Sequence, residues 1–246
     1  MIGADSIATV LEALRPERTQ LLELLGGLAA DEWAAPTECP LYSVKGIATH
    51  VLGDDLSLLS RQRDHAIQGL LLVAEELPGA DFRTLLDTFN DRWVAAARFL
   101  SADLLVELLR LAGEWTSSYY ETVDPLAPCE PVGFFGSTGE PSRFWQAIAR
   151  EYMERWVHHS QIRRALAFGS LAEESFVRVG AEVAASAAGV DATHVGGAWT
   201  LGPASLGSSQ QTADILTRAH TADEIRSLVD GPQDAVDLLA MFAGRP

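Results

Sequence analysis

Basic residues are scarce: 18 Lys and Arg stand against 34 Asp and Glu in 246 residues, a formal charge of −16. A phosphate backbone or an anionic membrane surface is bound by neutralising it with basic side chains, so the charge argues against nucleic acid and against a membrane as partners. Cysteine is scarcer still. Cys39 and Cys129 are the only two, too few for a disulfide framework, and a reducing cytoplasm is the expected compartment. No stretch reaches the roughly eighteen consecutive apolar residues of a membrane span. The opening "MIGADSIATV" lacks the basic start and apolar run of a signal peptide. Internal repeats and low-complexity tracts are missing as well.

What is present is apolar content, 48% of residues, enough for a substantial core. Most of it recurs at helical spacing. "SIATVLEALRPERTQLLELLGGL" reads as a first helix, with Pro16 expected to kink or split it. Ser43 is a plausible N-cap for a second helix carrying Val44, Ile47, Val51 and Leu58 on one face and reaching about to His65. Asp81 caps a third, long or broken, through Leu85, Phe89, Trp93, Ala96 and Leu100 and onward after Ser101. The Pro- and Gly-rich "DPLAPCEPVGFFGSTGEPS" is a crossover loop, after which Ser142 is expected to cap the fourth helix. Four long helices with one irregular connection predict a mainly α protein built on an antiparallel four-helix bundle. "SFVRVGAEVAASAAG" adds a fifth helix. Beyond it come a short hairpin around "GAWTLG" and helices at "TADEIRSLVDG" and "DAVDLLAMFAG", a small α+β C-terminal appendage. The expected division is 1–169 for the bundle and 170–246 for the appendage.

The fourth helix holds "EYMERWVHHSQIRRAL". At about 100° per residue, Glu154 and His158 lie about 40° apart, in one stripe with Ala147, Gln161 and Ala165. His159 points about 100° away, toward Ile148 and Tyr152, so the two histidines are not a tandem ligand pair. Two readings of Glu154 and His158 compete: an ordinary i,i+4 surface pair, or two ligands of a metal ion. His50 bears on the choice, because it lies beside Ile47 and Val51 on the edge of the second helix's apolar face, with Asp54 one turn later. Buried polar groups need partners. A bundle can bring His50 against Glu154 and His158 and so offer N, N and O donors to a divalent ion with one coordination position open. A core histidine satisfied by a carbonyl remains the competing account of His50. Glu151, near the same stripe, is an alternative carboxylate. His65, His194 and His220 lack partners at ligand spacing. Cys39, beside a proline in a loop, reads as a small packed residue and not as a nucleophile.

"DEWAAPTECPLYSVKGIATHVLGDD" and "FWQAIAREYMERWVHHSQIRRAL" resemble two signatures of the DinB-like metal-binding bundle family, in its mycothiol-dependent maleylpyruvate isomerase branch. The family patterns are roughly PT-x-CPGWTV-x-D-x-x-x-H and E-x-x-x-H-x-x-D. Pro36, Thr37, Cys39, Pro40, Val44 and His50 match the first, and Glu154 and His158 the second. Leu41, Tyr42 and Gly46 replace the family's glycine, tryptophan and aspartate, and Gln161 replaces its last aspartate. The resemblance runs through Gly169. It implies that His50, Glu154 and His158 bind a divalent metal, zinc above all, and that mycothiol is a co-substrate. The implied activity is a metal- and mycothiol-dependent transferase or isomerase acting on a small electrophilic organic substrate. Its alternative is a non-catalytic bundle that binds metal or a small ligand. The family's C-terminal domain also places an arginine near the site, for which Arg218 and Arg226 both qualify. A homodimer is a further expectation for bundles of this kind.

Overall fold

The computed structural model describes residues 1–66, 69–130, 132, 135 and 141–243. Within these residues lie eleven α-helices and three short strands, so the expected class, mainly α with a small α+β appendage, is the observed one. The helices are α1 (Ala8–Gly26), α2 (Ala30–Trp33), α3 (Val44–Leu58), α4 (Gly69–Glu76), α5 (Phe82–Ala97), α6 (Ala102–Tyr120), α7 (Phe144–Ala165), α8 (Glu174–Ala188), α9 (Ser209–Leu216), α10 (Ala222–Leu228) and α11 (Gln233–Leu239). The strands β1 (Ala192–Val195), β2 (Ala198–Leu201) and β3 (Ala204–Gly207) fall between α8 and α9. None of the described helices is long and apolar enough to cross a membrane. The chain packs as two compact units, residues 18–122 and residues 1–17 with 123–246.

In the unit 18–122, α3 buries Val44, Ile47, Ala48, Val51, Leu52 and Leu58, while α6 buries Leu105, Leu109 and Ala112. Ser43 accepts the Gly46 N–H, as the N-cap reading requires. A π-helical turn, Leu59–Arg63, extends α3 toward His65. The expected third helix is two helices: α5 ends at Ala97, and Ser101 caps α6 by accepting from Leu104 N. It is Asp55, not Asp54, that turns fully inward. Its carboxylate takes a 2.8 Å hydrogen bond from Arg18 Nη1, which also donates to the Leu109 carbonyl and so links α1, α3 and α6. A buried carboxylate is tolerable only with such a partner.

The other unit is organised by α7. Ile148, Tyr152, Trp156 and Ile162 are wholly buried. Trp156 lies over Gly180 of α8, where any added Cβ would collide with its ring, and donates to the Leu171 carbonyl. The Tyr152 hydroxyl donates to the Phe176 carbonyl, fixing the start of α8. The expected hairpin is part of an antiparallel sheet in the order β1-β2-β3. Gly196 and Gly197 form its first turn at φ +61° and +81°, the pair of positive φ angles that a tight hairpin turn demands.

Two further expectations change. Pro16 sits inside α1, which neither splits nor stops. The wholly buried Leu14 and Glu17 flank it, and their packing outweighs the one backbone hydrogen bond lost at the proline. Ser142 does not cap α7: Arg143 occupies that position, its N–H taken by Gln146 Oε1 at 2.8 Å, while the Ser142 hydroxyl accepts from Val132 N. Of the crossover loop at 124–142, positions 131, 133, 134 and 136–140 lie outside the described residues, as does Gly244 at the end of the last predicted helix.

Candidate metal centre

The two adjacent histidines of α7 separate as helical phase requires. His159 is wholly buried, and its Nδ1–H donates to Glu17 Oε1 at 3.0 Å. His158 and Glu154 occupy the flank of the helix, with side chains 12% and 20% exposed. His158 Nδ1 is 2.8 Å from Gln161 Oε1. With Gln161 presenting its carbonyl oxygen, the imidazole donates this bond from Nδ1–H. Its Nε2 faces Glu154 Oε2 at 3.6 Å, too far for a hydrogen bond. An imidazole nitrogen and a carboxylate side by side on one helix flank are both metal-ligand types, and the hydrogen bond at Nδ1 orients the ring. The donor set on α7 thus fits a divalent ion such as zinc.

Glu154 is kept ionised against its surroundings. Burial pushes its carboxyl up, but Arg150, His158 and Arg218 together hold it well below the usual carboxylate range. Arg150 Nη2 lies 3.5 Å and Arg218 Nη2 3.7 Å from Glu154 Oε1. Of the two arginines left open by the sequence, Arg218 is therefore the one beside the Glu154–His158 pair. Arg226 is engaged elsewhere, with Asp223 and Asp237.

His50 belongs to the unit 18–122. The ring of Tyr42 stacks beside its imidazole, centroids 6.1 Å apart and planes 28° apart. The Tyr42 hydroxyl donates to Asp91 Oδ1 of α5 at 2.7 Å. Burial, and then this hydrogen bond, push the Tyr42 phenol well above its ordinary range, so it remains a donor. Among the described residues, no group of three or more His, Cys, Asp or Glu side chains is gathered where a metal ion would sit.

The remaining candidates resolve plainly. Glu151, the alternative carboxylate, accepts from Arg155 Nε at 2.9 Å in a buried i,i+4 pair. His194 stacks on Trp199 and lies 3.5 Å from Glu174, while His220 lies 4.0 Å from Glu224. Cys39 sits in a turn whose Thr37 hydroxyl accepts the Cys39 N–H and donates to the Tyr42 carbonyl, and both cysteines are reduced. Sequence reasoning missed Arg150, Asp91 and the use made of Gln161. The one available signal was that Gln161 falls three residues after His158, one helical turn on.

The chain is a mainly helical protein carrying E-x-x-x-H on a long helix, with a hydrogen-bonded histidine and a charge-stabilised glutamate. Within it, the family model described as the mycothiol maleylpyruvate isomerase N-terminal domain matches residues 14–163, and the chain belongs to that family. The match takes in both motifs and ends within α7, leaving Arg218 outside it. No curated protein and no solved structure matches the chain.

Proposed function

We propose that the protein is a metal-dependent, mycothiol-dependent transferase or isomerase acting on a small electrophilic organic substrate. His50, Glu154 and His158 would hold the divalent ion, zinc by its N and O donors. The observation that carries this reading is the α7 pair: a His158 ring oriented by Gln161, its Nε2 turned to a Glu154 carboxylate held ionised by Arg150, by His158 itself and by Arg218. Family membership supports the thiol. The reading keeps residues 1–169 as the metal-binding bundle, 170–246 as the appendage, and the cytoplasm, where such thiols are held reduced, as the compartment.

The ion supplies a Lewis acid that lowers the pKa of a bound thiol. The protein's own residues do the rest. The hydrogen bond between His158 Nδ1 and Gln161 fixes the ring so that Nε2 is the nitrogen turned toward Glu154. Arg150 and Arg218 place positive charge beside Glu154, where an anionic group of a substrate is attracted.

Calorimetric titration of thiols into the zinc-loaded protein, in two buffers of different ionisation enthalpy, tests this. Mycothiol should release about one proton near neutral pH from the loaded protein and none from the metal-free protein. If mycothiol and simpler thiols fail to bind the loaded protein at millimolar concentration, the enzyme reading falls and a non-catalytic ligand-binding bundle replaces it.

A further inference from the structure

Two departures from the family motif, Tyr42 for tryptophan and Gly46 for aspartate, fit together. A Cβ on Gly46 would stand 3.1 Å from Tyr42 Cβ and 3.5 Å from its Cγ, so a side chain at 46, one turn before His50, would press on the ring that stacks against the imidazole. With glycine there, a carboxylate reaches this arrangement from another helix: Asp91 of α5, through the 2.7 Å hydrogen bond from the Tyr42 hydroxyl. The same helix also grips the backbone beside His50. Trp93 Nε1 donates at 2.8 Å to the carbonyl of Thr49, and its indole fills the space over Gly53, where any Cβ would fall within 2.3 Å of the ring. The Trp93 bond fixes the peptide that leads into His50. The anchored Tyr42 ring limits how far the imidazole can turn, because a ring tethered at its hydroxyl cannot swing aside.

We propose that α5 is the positioning element for His50, with Tyr42 and Asp91 orienting the imidazole for metal and Trp93 fixing its backbone. This rests on the reading of His50 as a ligand. Tyr42 and Asp91 are positioning residues and touch neither ion nor substrate.

The test uses the full chain with zinc alone, and with cobalt(II) as a spectroscopic substitute. Tyr42→Leu should move the His50 ring-proton resonances in the metal-free protein. It should also weaken zinc several-fold, less than the about 10- to 100-fold cost of losing a hydrogen-bonded outer partner of a ligating histidine, and change the cobalt absorption spectrum. Asp91→Asn, nearly isosteric, should give a smaller change in the same direction with the urea midpoint unmoved, and Tyr42→Trp should restore most of the affinity. Because Asp91→Asn preserves volume, it answers the question even if Tyr42→Leu folds poorly. His50→Ala is the control. If His50→Ala abolishes zinc binding while Tyr42→Leu and Asp91→Asn bind it with wild-type affinity and spectrum, the positioning role is overturned and the ligand reading stands. If His50→Ala binds zinc as well as wild type, both fall.

Discussion

Arg218 reaches to within 3.7 Å of the Glu154 carboxylate from a backbone in the left-handed region, at φ +68°. The strain is held in place from α7 itself. Arg164 donates from Nη2 to the Thr217 carbonyl at 2.9 Å and from Nη1 to the Thr217 and Ser170 hydroxyls, and Ser170 donates to Asp214 at 2.6 Å. A non-glycine residue in that region costs about 1 kcal/mol or more, and such strain clusters at functional sites.

Arg218→Gly should accordingly stabilise the fold. Relief of the strain gains about 1 kcal/mol, while the ion pair lost is long and half exposed and contributes only a few tenths. The expected result is a melting temperature higher by about 2–4 °C together with weaker binding of anionic substrates, which Arg218→Lys partly preserves. A lower melting temperature for Arg218→Gly would show that the side chain, and not the strain, dominates at this position.

His158→Ala and His159→Ala should separate cleanly. The first removes a proposed ligand from the flank of α7 and should abolish stoichiometric metal at little cost in stability. The second deprives the wholly buried Glu17 of the His159 donor and should cost about 3 kcal/mol, seen as a fall in the urea midpoint, while the folded fraction keeps its metal. Equal metal loss in both variants would contradict the assignment of His158 as the ligand.

The phase of the two histidines was legible in sequence because it depends only on helix geometry. Their partners were not. Glu17 stands 142 positions from His159, and nothing in either local pattern announces the pairing. The sequence pattern points to Asp54 where the structure buries Asp55, because neighbouring carboxylates differ by one helical step and only Arg18, 37 residues away, decides which goes inward. Arg218 and Arg226 look alike in composition. The left-handed turn after α9 that aims Arg218 falls on a residue type that rarely adopts it, so no turn signal marks it. The helix α4 was missed for a different reason: "GLLLVAEE" carries an apolar run without a polar face to set the period. The break between α5 and α6 was readable from Ser101, a cap, and was left open because the apolar spacing continues across it.

Gln161 takes the place of the family's aspartate and keeps the acceptor that orients His158. Gln161→Leu removes that acceptor within a nearly buried position and should weaken zinc by about 10- to 100-fold with helicity unchanged. Gln161→Asp supplies a charged acceptor and should bind at least as tightly as wild type. Unchanged affinity in Gln161→Leu, measured by competition with a chromophoric chelator, would mean that the 2.8 Å contact does not govern the ring.

Removing the metal should leave the helices standing. The helix that carries Glu154 and His158 is held by contacts independent of any ion: Trp156 against Gly180, Tyr152 on the Phe176 carbonyl, His159 on Glu17 and Arg155 on Glu151. His50 likewise sits on a helix whose Val44, Ile47, Ala48 and Leu52 are almost fully buried. Apolar burial on this scale contributes far more than a single site, so the proposed ion would add only the linkage gained by binding the folded chain, about 2.7 kcal/mol when free zinc is a hundredfold above its dissociation constant. Chelation should therefore leave far-ultraviolet ellipticity unchanged at 25 °C, and lower the melting temperature by an amount that grows with the zinc originally present. A cooperative loss of helix on adding chelator at 25 °C would instead make the ion part of the fold, as in domains that are unfolded without their metal, and would remove the reason to expect an open coordination position for a thiol.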